Sequence, residues 1–296
     1  MDLLSLRCFQ VVARHEHISR AAAELRVAQP SVSRTIARLE AGLGVRLFDR
    51  NGRQVRLNQY GAAFLRRVDR ALGELDDARR ELADAAGLDH GTLALASETL
   101  LSLTGLLAEY RDRHPGVRVR LFQSTAEAMS RRLRSREVDF CLASQPLTGT
   151  SIGSAELLRE DVLLAVPLGH PLAGREHVGV RELADEPFIA TRPGHWQRAL
   201  LDRMFAAEGL VPTIGCEGDE PGAAPVLVSA GLGVCLVPAM SRGSITNAPV
   251  ALLRLDAPYC HRTLTLVWRH DAYMSAAARK FRSLAMERKG RPWPEP

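Results

Sequence analysis

Gln29, Ser31, Ser33, Arg34 and Arg38 lie within one ten-residue stretch. At about 100° per residue, Val32, Ile36 and Leu39 gather on one side of a helix. Pro30, Arg34, Ala37 and Ala41 lie opposite, flanked by Ser31, Ser33 and Arg38, with Gln29 at the N-terminal end. A face of small side chains, hydroxyls and guanidiniums can enter a DNA major groove without steric conflict. Gln pairs bidentately with adenine, Arg with guanine, and Ser reaches either a base or a phosphate. An ordinary surface helix would share this spacing, so the face alone does not decide.

The surrounding residues form elements that would present that face. A first helix runs from about Asp2 to His15, with Leu6, Phe9 and Ala13 inward. Ser19 is expected to cap a second helix, whose Ala21, Ala22 and Leu25 face inward and whose Arg20 and Glu24 face out. The third helix starts after Ala28, with Pro30 in its first turn, where proline is tolerated. Beyond it, Leu47-Phe48, a polar turn Asp49-Arg50-Asn51-Gly52-Arg53 and alternating Gln54–Leu57 read as a hairpin, Asn-Gly being a strong turn signal. Arg50 and Arg53 at its tip are placed for phosphate or minor-groove contact.

Charge is uneven along the 296 residues. Twelve arginines stand against five acids among residues 1–67, leaving 27 of the 39 basic and 29 of the 34 acidic residues for the rest. A basic unit on a near-neutral body suggests a polyanion partner for that unit alone. Residues 58–86 hold no proline and carry an a/d stripe through Leu65, Val68, Leu72, Leu75, Arg79, Leu82 and Ala86. So narrow an apolar seam predicts a partner helix, with Leu65, Val68, Leu72, Leu75 and Leu82 at a dimer contact. The alternative is packing on its own domain.

The run Ser19-Arg20-Ala21-Ala22, Leu25, Val27-Ala28-Gln29-Pro30-Ser31-Val32-Ser33, then Ile36, Leu39-Glu40, Leu43-Gly44-Val45 and Leu47-Phe48-Asp49-Arg50 resembles the LysR-type transcriptional regulators. The match covers about the first 60 residues. It implies an α/β chain: a winged helix-turn-helix DNA-binding domain (1–58), a linker and dimerisation helix (59–90), and a C-terminal effector domain resembling periplasmic binding proteins (91–296). That last region would hold subdomain I, about 91–160 and 266–290, and subdomain II, about 161–265. The resemblance also implies Ser or Thr at position 28, where this chain has Ala. The expected DNA contacts are Ser19, Arg20, Gln29, Pro30, Ser31, Ser33, Arg34, Arg38, Arg50 and Arg53.

In the C-terminal part, strand-like and helix-like runs alternate, which means a parallel sheet with ligands beyond its strand ends. Thr92–Ala96 leads to Ser97-Glu98-Thr99, and Val117–Phe122 leads to Ser124-Thr125, both at helix N-termini. Plain helix capping is as good a reading of each hydroxyl taken alone. Across a cleft, Arg192 could pair a carboxylate, whereas Glu217 and Asp219 would favour a cation or hydroxyls. Gly231-Leu232-Gly233 reads as a helix-to-strand turn, because neither a Lys nor a helix follows.

Several function classes are disfavoured. There is no HExxH, GxSxG or Walker pattern, so neither a catalytic nor a metal site is expected, and no cofactor. Five scattered cysteines without CxxC spacing suit reduced thiols in a cytoplasm. Pro221–Met240 is uncharged, but three prolines punctuate it, so it reads as a buried helix, turn and strand rather than a membrane span. The expected partners are double-stranded DNA, a small-molecule effector, further copies of the chain as homodimer or homotetramer, and RNA polymerase, with no membrane. A solute-binding protein or an α/β enzyme built on the C-terminal half are the alternatives.

Overall fold

In the computed structural model, which describes residues 1–51, 54–86, 91–149, 151–243 and 248–291, the Asp2 carboxylate accepts the Ser5 amide at 2.7 Å and starts α1 (Leu3–His15). Glu16, left-handed at φ 47°, ends it. α2 (Ile18–Leu25) then begins two residues earlier than a cap at Ser19 would place it. Its cap is His17, whose ring accepts the Arg20 amide at 3.5 Å, and Ser19 lies inside the first turn. The cause is packing: Ile18 rests on the core and draws the helix start back to it. α3 (Gln29–Leu43) ends at left-handed Gly44, and β1 (Phe48–Asn51) pairs antiparallel with β2 (Gln54–Leu57). The turn residues 52 and 53 between these strands, Arg53 included, lie outside the described residues, as does the Arg50 side chain.

The 27-residue α4 (Gln59–Ala85) belongs to the same compact unit, Met1–Ala86. Its stripe splits in two. Val68 and Leu72 are 2% exposed and, with part-buried Leu65, pack on the core around Phe9. Gln10 donating to Asp69 at 2.8 Å and Arg7 paired with Asp76 at 2.7 Å hold α4 against α1. Only the C-terminal part of the expected seam stands free in this chain, with Leu75 at 41% and Leu82 at 70% exposure.

The second unit spans Gly87–Pro296; residues 87–90 of the expected linker and 292–296 of the expected tail lie outside the described residues. It contains β3 (Thr92–Ser97), α5 (Thr104–Arg113), β4 (Arg118–Gln123), α6 (Ala126–Arg134), β5 (Phe140–Ala143), β6 (Ile152–Pro167), β7 (His177–Val178), β8 (Pro187–Thr191), α7 (Trp196–Ala207) and β9 (Thr213–Gly218). It continues with α8 (Ala224–Ser229), β10 (Cys235–Pro238), β11 (Val250–Leu255), β12 (His261–Arg269) and α9 (Ala276–Glu287). β3 pairs in parallel with β4 and β5, and β8 with β9, as strand-helix alternation requires.

β4, β3 and β5 continue through β12 and β6 into one eight-stranded sheet, in which β12, β10 and β11 pair antiparallel with β6 and β7 pairs in parallel with β11. Ile152–Asp161 of β6 pair with β12, and Val162–Pro167 pair with β10 and β11. The chain thus crosses between two layers inside one strand. β12 starts at His261, so the return to the first layer begins there rather than near residue 266. Gly231 and Gly233, at φ 79° and 145°, make the α8-to-β10 turn; a Cβ on Gly233 would overlap the Pro187 carbonyl oxygen.

Candidate nucleic-acid interface and effector cleft

α3 buries Val32, Ile36 and Leu39 and turns Gln29, Pro30, Arg34 and Arg38 to solvent, with Ser31 and Ser33 half-buried at the edge of that face. Ser19 and Arg20 are exposed on the first turn of α2. The Arg34 Nε donates back to the Pro30 carbonyl at 3.3 Å, a weak local bond that DNA can replace. Glu40 has a structural role that the sequence pattern does not announce. Buried at the end of the opposite face, it accepts the amides of Leu47 and Phe48 at 2.8 and 3.3 Å and fixes the hairpin to α3. Asn58 then ties the hairpin to α4, accepting from the Gly61 amide at 2.9 Å and donating to the Arg46 carbonyl at 2.9 Å.

In the second unit, the strand-end residues come together, and most of their polar atoms are already engaged. The Ser97 hydroxyl donates to the Leu142 carbonyl at 3.1 Å, Ser124 accepts from Arg132 at 3.2 Å, and Thr125 caps α6 through the Ala128 amide. Glu98 is buried, accepting the Ser144 amide at 2.8 Å and the Gln145 amide group at 2.9 Å. Desolvation pushes its carboxyl above the ordinary range, against those hydrogen bonds and the charge of Arg262. Gln145 also donates to the Gly194 carbonyl at 3.3 Å, joining the end of β5 to the loop after β8. Arg192 pairs with Asp219 at 3.1 Å and Arg198 with Glu217 at 2.9 Å, so the charges around the β8 and β9 strand ends balance one another. Neither sign dominates there.

The atoms left over are different ones. Thr191 Oγ1, His195 Nδ1, Trp196 Nε1, Gln197 Oε1 and Arg262 Nη1 are buried and have no hydrogen-bond partner among the described residues. Four of them come from the end of β8 and the start of α7. The fifth belongs to a guanidinium lying 4.8 Å above the Trp196 ring. Its other nitrogens are held by Glu160 at 2.6 Å, Ser102 at 3.1 Å and the Met240 sulfur at 2.8 Å. Gln197 lines a cavity of about 70 Å³ together with Thr99 and Ser241, and a smaller one of about 20 Å³ together with Thr191. A buried unsatisfied polar atom costs about 1–3 kcal/mol, and native interiors seldom keep one. Motif and strand-end patterns miss these residues. The available signal was alternation: Arg262 shares its strand face with Leu264 and Leu266, an inward position for a charge.

Residues 3–62 match the helix-turn-helix of bacterial regulatory proteins of the lysR family, and residues 86–290 match the LysR substrate binding domain. The chain belongs to the LysR family of transcriptional regulators. It is 33% identical over 285 residues to the HTH-type transcriptional regulator YybE of Bacillus subtilis, covering 95% of this chain and 97% of that one. Its fold is that of a full-length OxyR variant from Pseudomonas aeruginosa (TM-score 0.71, 22% identity, 100% of this chain and 98% of that chain). It is also that of full-length CbnR, solved in complex with its target DNA (TM-score 0.66, 24% identity, 97% and 100%).

This LysR-type regulator therefore joins a helix-turn-helix DNA-binding domain to an effector-binding domain, and it is a regulator rather than an enzyme. None of its described helices is long and apolar enough to cross a membrane. Ala28 takes the cap position of the regulator's α3 and makes no side-chain hydrogen bond to the helix. Ala28→Ser is expected to stabilise the N-terminal unit by about 1 kcal/mol, by satisfying one helix-end amide. A rise in the calorimetric midpoint checks this, and an unchanged midpoint contradicts it.

Proposed function

We propose that this regulator reads DNA as a homo-oligomer through the Gln29–Arg38 face and changes its DNA complex when a small molecule fills the cleft between its two sheet layers. Ser19, Arg20, Pro30 and the hairpin arginines Arg50 and Arg53 hold the backbone, while Gln29, Ser31, Ser33, Arg34 and Arg38 reach base edges. The exposed Leu75 and Leu82 favour pairing through the distal part of α4, and dimeric heads favour a partly palindromic operator. The reduced cysteines suit action in the cytoplasm, and RNA polymerase is the expected downstream partner. Ser97, Glu98, Thr99, Ser124, Thr125, Arg192, Glu217 and Asp219 form the cleft frame. Thr191, His195, Trp196, Gln197 and Arg262 make the direct contacts.

The observation that carries the effector reading is the set of unpartnered buried polar atoms on Thr191, His195, Trp196 and Gln197, with a fifth on Arg262 against the Trp196 ring; Thr191 and Gln197 line one cavity. They offer donors (Trp196 and Arg262), a hydroxyl and an amide oxygen, so the fitting ligand is small and polar, with acceptors and a donor. A thermal-shift screen of small metabolites on the full chain tests this, followed by gel shifts with each hit. A hit should raise the midpoint and alter the DNA complex. Gln197→Leu should weaken that response about tenfold or more while leaving DNA affinity intact. A response that survives both Gln197→Leu and Thr191→Val contradicts the assignment.

A further inference from the structure

A cavity lies away from this cleft, at the point where β6 changes partners. It measures about 510 Å³ and opens to solvent, which is the size of a small-ligand site. Its lining is charged on purely topological grounds. Arg159 and Asp161 are two residues apart on β6 and share a face. His261 of β12 stands directly opposite Asp161, and Arg254 of β11 stands opposite both Leu163 and His177. Asp256 follows Arg254 by two and joins the same face. Arg159, Asp161, His177, Arg254, Asp256 and His261 therefore surround one space.

Their pairing is incomplete. Asp256 accepts from His177 at 3.0 Å, so that carboxylate is engaged. Arg159 bonds the His261 ring at 3.3 Å, a partner that does not neutralise it. Among the described residues, the side chains of Arg254 and Asp161 have no hydrogen-bond or ion-pair partner. The register puts their Cα atoms about 8 Å apart, two residues along β6 and one strand across. Side chains of these lengths can then converge on one small molecule from two sides. Two guanidiniums without a carboxylate partner face one carboxylate without a cation. The complement is a molecule with an anionic group and a cationic group a few ångströms apart.

We propose that this hinge cavity is a second small-molecule site, which takes a zwitterion: a carboxylate at Arg254 and Arg159, an ammonium at Asp161. The site is distinct from the effector cleft, and its back wall is Glu160, whose carboxylate holds the Arg262 guanidinium of that cleft. An occupant thus sits on the strand that links the two layers.

Calorimetric titration of the full chain with each of the twenty α-amino acids, and with acetate and ethylamine as single-charge probes, tests the proposal. At least one amino acid should bind one to one, with acetate and ethylamine about tenfold weaker or more. Arg254→Gln and Asp161→Asn, both exposed and with unchanged melting midpoints, should each weaken that binding about tenfold. Gln197→Leu, a cleft variant, should leave it unchanged. Three results overturn the proposal: no binding by any amino acid, acetate binding as tightly as the amino acid, or binding that is lost in Gln197→Leu and kept in both hinge variants.

Discussion

Arg262→Met is expected to destabilise the C-terminal unit by about 3–5 kcal/mol, the cost of leaving a buried charge without its partner. Arg262 and Glu160 are both almost fully buried, with Nε to Oε1 at 2.6 Å. The second Glu160 oxygen accepts the Met240 amide at 2.6 Å. Burial pulls the Arg262 pKa below its ordinary value, and Glu160 opposes that shift. Methionine matches the stem of the side chain but removes every donor. The Ser102 hydroxyl loses its bond, and the Trp196 face loses its cation. The double variant Arg262→Met/Glu160→Leu should recover most of the loss, because apolar replacements of a whole buried pair are often neutral. Urea unfolding followed by tryptophan fluorescence measures both, since every tryptophan of the chain falls in this unit. A loss under about 1 kcal/mol in the single variant, or no recovery in the double, contradicts the pair's role.

Gly61→Ala should cost the N-terminal unit about 3 kcal/mol, near the upper end for overpacking. A Cβ at Gly61 would overlap the Leu47 carbonyl oxygen and lie 2.7 Å from Leu57 Cδ2. The first of these is backbone and cannot rotate away. The hairpin would have to move off α4, which breaks the Asn58 bonds to Arg46 and Gly61 and disturbs the Glu40 anchor at Leu47 and Phe48. DNA affinity should fall with it. Gly42 is the matched control. It lies inside α3, and its Cβ would meet nothing within 4 Å. Gly42→Ala should therefore be neutral or gain up to about 1 kcal/mol from helix propensity. Calorimetry of both variants measures the contrast, and equal midpoints contradict the close approach.

Where one periodicity governs a segment, sequence pattern and structure coincide. The Val32-Ile36-Leu39 stripe and the Ala21-Ala22 contact carry α3 and α2 to their places, and Pro30 sits in a first turn. The cap of α2 went astray because a cap is chosen by packing as well as by residue type: Ile18 seeks the core, so the helix starts at it and His17 takes the cap. β6 escaped because it has no single period. Its first half alternates, while Val162–Val166 are buried on both faces. The charged Arg159-Glu160-Asp161 stretch between them reads as a boundary although the strand continues through it. The candidate cleft was legible only in outline. Hydroxyls at strand ends were visible, yet the structure spends most of them on caps and ties. The unpartnered atoms lie at the end of β8, around the start of α7 and on β12, and the contact of Arg262 with the Trp196 ring depends on the layer crossing that local pattern does not reveal.

Selection from a pool of randomised duplexes, run on the wild type and on Arg34→Ala, tests the α3 reading face most directly. The wild type should enrich a partly palindromic site. Arg34→Ala should bind that site about 1–3 kcal/mol more weakly and lose base preference at one position in each half. Recovery of the same motif with the same affinity by both proteins would contradict the assignment of Arg34, and with it the reading face proposed for α3.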